Sequence, residues 1–374
     1  MVSETKPLLS EGIPSGTSTT FLPLFSLYKA NNPTSCAAQF TRALQRPSSS
    51  PATTLPQAIA HRGYKALYPE NTLLAFRAAL DAGAHALETD LHLTKDGVVV
   101  LSHDGTLKRC FDVDKKINEC EWEYISSLET IREPRQRMPR LSDLLEFLAE
   151  GGKERESVWV LLDIKTDDPA PELLSRVAQV LASTPGPVPW NKRVIFGCWN
   201  QPYINHCTAY VPTYPVALIS WSPIFARKFL PQEFLSFNMF QKSLVGPMGK
   251  AFMRVLKAHD RRLFVWTVNE EEWMEWSIAQ GVDGVITDEP EAFLEVCRRW
   301  EGDEGSAAAT KEGGSRLGQM RRERKDQGLK RTVKLYAEII FIQVLVAIFT
   351  PVLMIVARFG VVGPGPKAAK ALRL

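Results

Sequence analysis

Glu88 and Asp90 stand two residues apart in the run ALETDLHL, 86–93. On an extended strand that spacing turns both carboxylates to one face, where they repel each other unless a cation joins them. Asp163 in LLDIK (161–165) and Glu70 in PENT (69–72) offer two further carboxylates. A donor set made of oxygen alone suits a hard divalent ion, Mg2+ or Ca2+, better than zinc. The same residues also admit a plainer reading, a carboxylate pair satisfied by Arg62 and Lys165. His61 and His103 shift the balance, because two imidazoles can supply one general base and one general acid near neutral pH. With Arg62 and Lys165 available to stabilise charge on phosphate oxygens, the group has the make-up of a phosphoryl-transfer site. His85, His92, His206 and His259 lack such neighbours and read as structural or surface residues.

These side chains need a scaffold that gathers residues from distant parts of the chain. From Gln57 to about Arg299, short apolar runs alternate with helical periods, the pattern of βα units around a parallel sheet. Eight core strands are expected: Gln57–Arg62, Ala86–Leu93, Val158–Lys165, Arg193–Trp199, Val216–Ser220, Leu235–Phe240, Leu263–Asn269 and Gly284–Thr287. The fold class is therefore α/β, a (β/α)8 TIM barrel. Such barrels carry their chemistry at the C-terminal ends of the strands, which is where His61, Arg62, Glu88, Asp90, Asp163 and Lys165 fall. Trp199, Phe240 and Trp266 also close strands; aromatic residues there serve as core or as ligand wall, and Trp266 is retained as a candidate substrate contact. An extra strand, Val98–His103, follows the turn Lys95-Asp96-Gly97, whose Asp-Gly step favours positive φ. The second strand thus carries a hairpin excursion, and Thr106–Pro139 reads as an insertion over one mouth of the barrel.

The flanks differ from the barrel in composition. Residues 1–55 are rich in Ser, Thr and Pro and show no sustained period, so they are expected to be disordered, with Phe21–Tyr28 as a possible docking patch. The barrel is assigned to 56–300, a basic flexible linker to 301–334, a membrane helix to 335–360 and a short tail to 361–374. The run Ile339–Ala357 is apolar except for Gln343, Thr350 and Pro351, and as a helix it spans about 28 Å, near the hydrocarbon thickness. Pro351 leaves open whether it spans or dips. Net charge is only +3, but Arg321, Arg322, Arg324, Lys325, Lys330, Arg331 and Lys334 crowd ahead of this run. That placement speaks for a membrane surface and against a nucleic-acid groove, and it puts the barrel on the cytosolic side. Endoplasmic reticulum, mitochondrial outer surface and lipid droplet all fit such a tail. The six cysteines form no CxxC pair and no zinc-type cluster, as expected of a reduced compartment.

Five motifs, HRGYKALYPENTLLAF (61–76), ETDLHLTKDGVVVLSHD (88–104), LLDIK (161–165), VWTVN (265–269) and GVDGVITDEP (281–290), occur in an order that resembles the glycerophosphodiester phosphodiesterases. The tail and the wording of PENTLLAF and FGCWN (196–200) look closest to its membrane-tailed fungal branch, the phosphatidylglycerol phospholipases C. The resemblance implies His61 and His103 as the acid–base pair, Arg62 and Lys165 as phosphate contacts, and Glu88, Asp90 and Asp163 as metal ligands with Glu70 in support. Asp163 stands where many relatives have glutamate, which bears on metal preference. The family scheme has a hydroxyl beside the phosphate attack phosphorus, which fits phosphatidylglycerol and excludes phosphatidylcholine and phosphatidylethanolamine. Phosphatidylinositol also carries such a hydroxyl. Two rivals are a hydrolase of soluble deacylated diesters and a non-catalytic lipid-binding or scaffold barrel. The second is disfavoured because buried charges are costly to keep without use.

Overall fold

The computed structural model describes residues 38–45, 54–309 and the single position 344, with the side chains of 302–309 left aside. Eight parallel strands close a barrel: β1 (Gln57–His61), β2 (Ala86–Leu93), β3 (Trp159–Ile164), β4 (Val194–Cys198), β5 (Val216–Ser220), β6 (Leu235–Phe240), β7 (Leu263–Trp266) and β8 (Gly284–Thr287). Each pairs with its sequence neighbours, and β1 pairs with both β2 and β8 to complete the ring. The excursion strand Val99–Leu101 runs antiparallel to the end of β2, Leu91 opposite Leu101. Its turn takes the expected form, with Gly97 at φ +79°.

The period-two alternation of the strands sorts their side chains into two populations. Inward positions Ile59, Ala86, Trp159, Leu161, Ile195, Ala217, Phe264 and Ile286 form one apolar cluster inside the barrel. Outward positions such as Leu87, Leu91, Val160, Leu162, Phe196 and Phe237 pack against the surrounding helices. The inward stripe continues past the apolar layer into His61, Glu88, Asp90 and Asp163. Strand register then sets neighbours: His61 lies beside Glu88, and Asp90 beside Asp163.

The segment read as disordered up to residue 55 is corrected at 38–45. Gln39–Thr41 form a 3-10 turn, and Leu44–Gln45 pair antiparallel with Thr54–Leu55. Order here comes from tertiary contacts: the Gln57 amide donates to the carbonyls of Phe40 (2.8 Å) and Arg42 (2.7 Å), and Phe40 meets Trp159 edge-on at 5.9 Å. The linker boundary moves as well. Helix Pro290–Ala309 continues through the first nine residues assigned to the linker, a stretch ending in three helix-favouring alanines.

Among the described residues no helix is long and apolar enough to cross a membrane. The membrane helix expected at 335–360 lies outside the described residues, apart from position 344.

The insertion between the excursion strand and β3 packs Leu107, Ile117, Cys120, Ile125 and Met138 around Val100 of the excursion strand as a separate small core. It is tied to the rim of the barrel by Arg132, whose guanidinium donates to the carbonyls of Lys65 (2.6 Å), Ala66 (2.6 Å) and Tyr68 (2.9 Å).

Candidate active site

The HRG turn that follows β1 is a tight one. Arg62 takes a left-handed conformation, φ 58°, and Gly63 follows at φ 79°. A Cβ on Gly63 would lie 2.6 Å from the Ala75 carbonyl carbon, so the turn packs directly onto the next helix and accepts no side chain. That helix, α1 (Leu73–Asp81), is capped by Thr72, whose hydroxyl accepts from the Ala75 N–H at 3.2 Å. Asn71, also left-handed at φ 55°, reaches into β2: its amide donates to Asp90 (3.0 Å) and accepts from the Thr89 hydroxyl (2.8 Å). The PENT step therefore caps a helix and braces the Asp90 carboxylate at once.

Glu88, Asp90 and Asp163 present carboxylate oxygens that all lie within 4.8 Å of one another, and all three side chains are buried. Two cations face them, Arg62 buried and Lys165 partly buried. Lys165 Nζ lies 2.7 Å from Asp90 and 2.5 Å from Asp163, and Arg62 Nε lies 3.2 Å from Asp90. The Arg62 backbone N–H donates to Glu88 at 3.0 Å, and the Trp199 indole donates to Asp163 at 2.8 Å.

Three carboxylates against two cations leave a surplus of negative charge, and its distribution is uneven. Burial pushes the Asp90 carboxyl up, but Lys165 and Arg62 outweigh it and hold Asp90 well below the usual range. Glu88 goes the other way, raised by burial and by Asp90 more than Arg62 can offset. Asp163 is also raised, by burial first, against the pull of Lys165. Oxygen donors that resist ionisation next to one another are what a hard divalent cation relieves, so the triad fits Mg2+ or Ca2+. The pairing of these acids with Arg62 and Lys165, the plainer reading, is present too and leaves the triad unneutralised.

Both candidate histidines border this group. His61 Nδ1 lies 2.5 Å from Asp288, and its Nε2 stands 4.0 Å from Glu88. Burial and then Arg62 lower the His61 imidazole to about 4 despite Asp288. His103 Nδ1 lies 2.8 Å from Asp104, and burial followed by Lys165 lowers it to about 3. Both rings are thus neutral at pH 7, each with Nδ1 engaged by a carboxylate and Nε2 left for chemistry.

Asp288, which directly follows β8 in ITDEP, was not assigned a role in the chemistry. It is fixed in turn by Asn269, whose side-chain oxygen accepts from the Asp288 N–H at 2.9 Å and whose amide donates to the carboxylate at 3.0 Å. Asp104 was passed over beside His103, and Arg109 within the insertion.

Glu70 stands outside the triad. Its carboxylate accepts from Arg62 at 2.9 Å and from both terminal nitrogens of Arg109 at 2.8 Å. Against burial, Arg109 and Arg62 hold it down at about 2. In this arrangement it supports Arg62, and the carboxylate group that could hold a cation is formed by Glu88, Asp90 and Asp163 without it.

Trp266 sends its indole N–H to the Asn238 carbonyl (3.1 Å) and packs against Trp199 (5.8 Å) and Phe240 (5.4 Å). With Trp221 beside Trp199 at 6.5 Å, these partly exposed rings form an aromatic wall next to the acids. His92, set aside as structural, is buried and lies 2.8 Å from Asp168, whose carboxylate also accepts from the Leu93 N–H.

Residues 61–292 match the model of the glycerophosphoryl diester phosphodiesterase family. The chain belongs to that family. It is a phosphoric diester hydrolase, and the buried acidic triad is consistent with a metal site typical of the family. A glycerophosphodiester phosphodiesterase of Caldanaerobacter subterraneus is 27% identical over 248 residues, covering 64% of this chain and 97% of that one. Human lysophospholipase D GDPD1 is 25% identical over 272 residues, 63% of this chain and 84% of its own length. The fold is shared with an Oleispira antarctica phosphodiesterase solved with its product sn-glycerol-3-phosphate. That match has a TM-score of 0.57 at 21% identity and covers 65% of this chain and 97% of the other.

Proposed function

We propose that this glycerophosphodiester phosphodiesterase acts on phosphatidylglycerol, releasing diacylglycerol and glycerol phosphate. The reading is carried by two neutral histidines, each oriented by its own carboxylate, bordering a cation-binding triad and two phosphate-facing cations. Glu88, Asp90 and Asp163 would hold a divalent ion, which would neutralise charge on the phosphate oxygens. The residues of the chain do the rest. Arg62 and Lys165 hold the phosphate, one imidazole takes the proton of the glycerol 2-hydroxyl as it attacks phosphorus, and the other protonates the leaving diacylglycerol oxygen. Water then opens the cyclic phosphate with the roles reversed. The aromatic wall of Trp199, Trp221 and Trp266 offers an apolar face to the glycerol backbone.

Preference for the lipid over its deacylated form is supported by the basic stretch and the apolar run Ile339–Ala357, which suit a cytosol-facing barrel held against a bilayer. Endoplasmic reticulum, mitochondrial outer surface and lipid droplet are the membranes proposed. The glycerol phosphate bound to the Oleispira relative is consistent with a product of this class. The test offers phosphatidylglycerol, phosphatidylinositol, phosphatidylethanolamine and glycerophosphoglycerol in mixed micelles, with and without chelator, beside a His61→Ala control. Diacylglycerol release from phosphatidylglycerol that needs both metal and His61 supports the proposal. Turnover confined to glycerophosphoglycerol overturns its lipid part and leaves the diesterase.

A further inference from the structure

The insertion contributes one side chain that reaches two parts of the active site at once. Arg109, in the short helix Lys108–Phe111, donates from Nε to Asp104 at 2.6 Å and from Nη1 and Nη2 to the two oxygens of Glu70, each at 2.8 Å. Asp104 is the carboxylate that holds His103 Nδ1, and Glu70 is the carboxylate that holds Arg62 Nη1. A single planar guanidinium therefore joins the orienting partner of a catalytic histidine to the orienting partner of the phosphate-binding arginine. The Asp104 side chain is 27% exposed and that of Glu70 11%, so these pairs are shielded more than ordinary surface ion pairs.

We propose that Arg109 is a positioning residue through which the insertion sets the catalytic geometry of His103. Each Asp104 oxygen has one partner in this arrangement, His103 on Oδ1 and Arg109 on Oδ2. Loss of Arg109 frees the carboxylate to rotate, and the imidazole plane of His103 rotates with it. A lysine keeps the charge but cannot span both carboxylates with a rigid fork. Arg109 is 42% exposed and makes no contact with the triad, so its effect is carried by the residues it holds.

The inference rests on the family-level diesterase activity and not on the lipid preference. The test therefore uses full-length protein and soluble glycerophosphoglycerol at saturating Mg2+. Arg109→Met is expected to lower kcat about 10–100-fold with KM within about threefold of wild type, and Arg109→Lys to recover little of it. Combined with Asp104→Asn, the Arg109→Met substitution is expected to cost less than about threefold more, because both changes cut the same path to His103. Thermal unfolding of each variant checks folding, and Arg109→Lys with Asp104→Asn carries the cycle if the methionine variant does not fold. Unchanged kcat, losses that multiply with Asp104→Asn, or a loss confined to KM overturn the proposal. A wild-type enzyme silent on glycerophosphoglycerol faults the activity reading, not the role of Arg109.

Discussion

The two ends of the barrel are built from the same inward stripes and carry opposite chemistry. At the closed end, Ile59, Ala86, Trp159, Phe264 and Ile286 interlock over the 3-10 turn that bears Phe40. Two residues further along the same strands, the stripe becomes His61 on β1 and Glu88 on β2, while β3 passes through Leu161 to Asp163. One end removes apolar surface from water, which favours folding. The other buries carboxylates with a surplus of negative charge, which opposes it. The barrel tolerates the second because the first lies one layer beneath it. Stability and chemistry are thereby separable by substitution.

The largest test of that separation is Trp159→Ala. Trp159 is 1% exposed, packs on Phe264 at 5.6 Å and donates its indole N–H to Gln57 at 2.7 Å. The expected cost is about 3–5 kcal/mol in urea unfolding, with kcat per folded molecule within about threefold of wild type. A tenfold or greater fall in kcat per folded molecule breaks the comparison and shows that the closed end shapes the site.

Glu88→Gln probes the opposite end. It keeps the shape, removes one buried charge that resists ionisation and takes away a cation ligand. Activity is expected to fall at least about a hundredfold, the equivalent of roughly 3 kcal/mol in the barrier. Unfolding free energy is expected to stay level or rise, since an amide does not repel Asp90. A substitution that destabilises the fold as much as it slows turnover removes the distinction between the ends.

How far each end can be read from sequence follows from what orders it. Strands β2, β5, β6 and β8 have the bounds expected from their apolar runs, because local period and turn residues determine them. Strands β3, β4 and β7 stop short of their expected C-terminal ends, since Lys165, Trp199 and Asn269 belong to the loops that build the site. Glu88, Asp90, Asp163, His61 and His103 are legible as residue types at strand ends. Which carboxylate serves which partner is not. Glu70 reads as a metal donor in the sequence, and the guanidinium that holds its carboxylate, Arg109, comes 39 residues later. Asp288 becomes the orienting group of His61 only through closure of the ring between β8 and β1. The turn at 39–41 has no periodicity to announce it, because its order comes from Gln57 and Trp159.

The smallest expected effect sharpens the comparison through pH. His61 and His103, lowered to about 4 and about 3, bind protons less readily in the folded chain than in the unfolded one, where a histidine titrates near about 6.5. Between those values the unfolded state holds more protons, so stability rises with pH through the window and is lost as pH falls below about 6.5. Each ring contributes a slope of up to about 1.4 kcal/mol per pH unit. His85, at the start of β2, adds in the same direction: burial lowers it, and its Nδ1 accepts the Ala58 N–H at 2.9 Å. The depressed carboxylates Glu70, Asp104 and Asp288 join only nearer their own unfolded range, below about pH 4.5. Glu88, Asp163 and Asp283, raised chiefly by burial, act in the opposite direction, so the histidine share is read as the change that a substitution makes in urea unfolding at pH 7 and pH 5. A His61→Gln, His103→Gln double variant is expected to be less stabilised than wild type on going from pH 5 to pH 7, keeping only the shares that belong to His85 and to the raised carboxyls. A difference as large as that of wild type would mean that the two imidazoles are not held neutral by the site, and the contrast between a stabilising closed end and a charge-burying open end would then rest on the carboxylates alone.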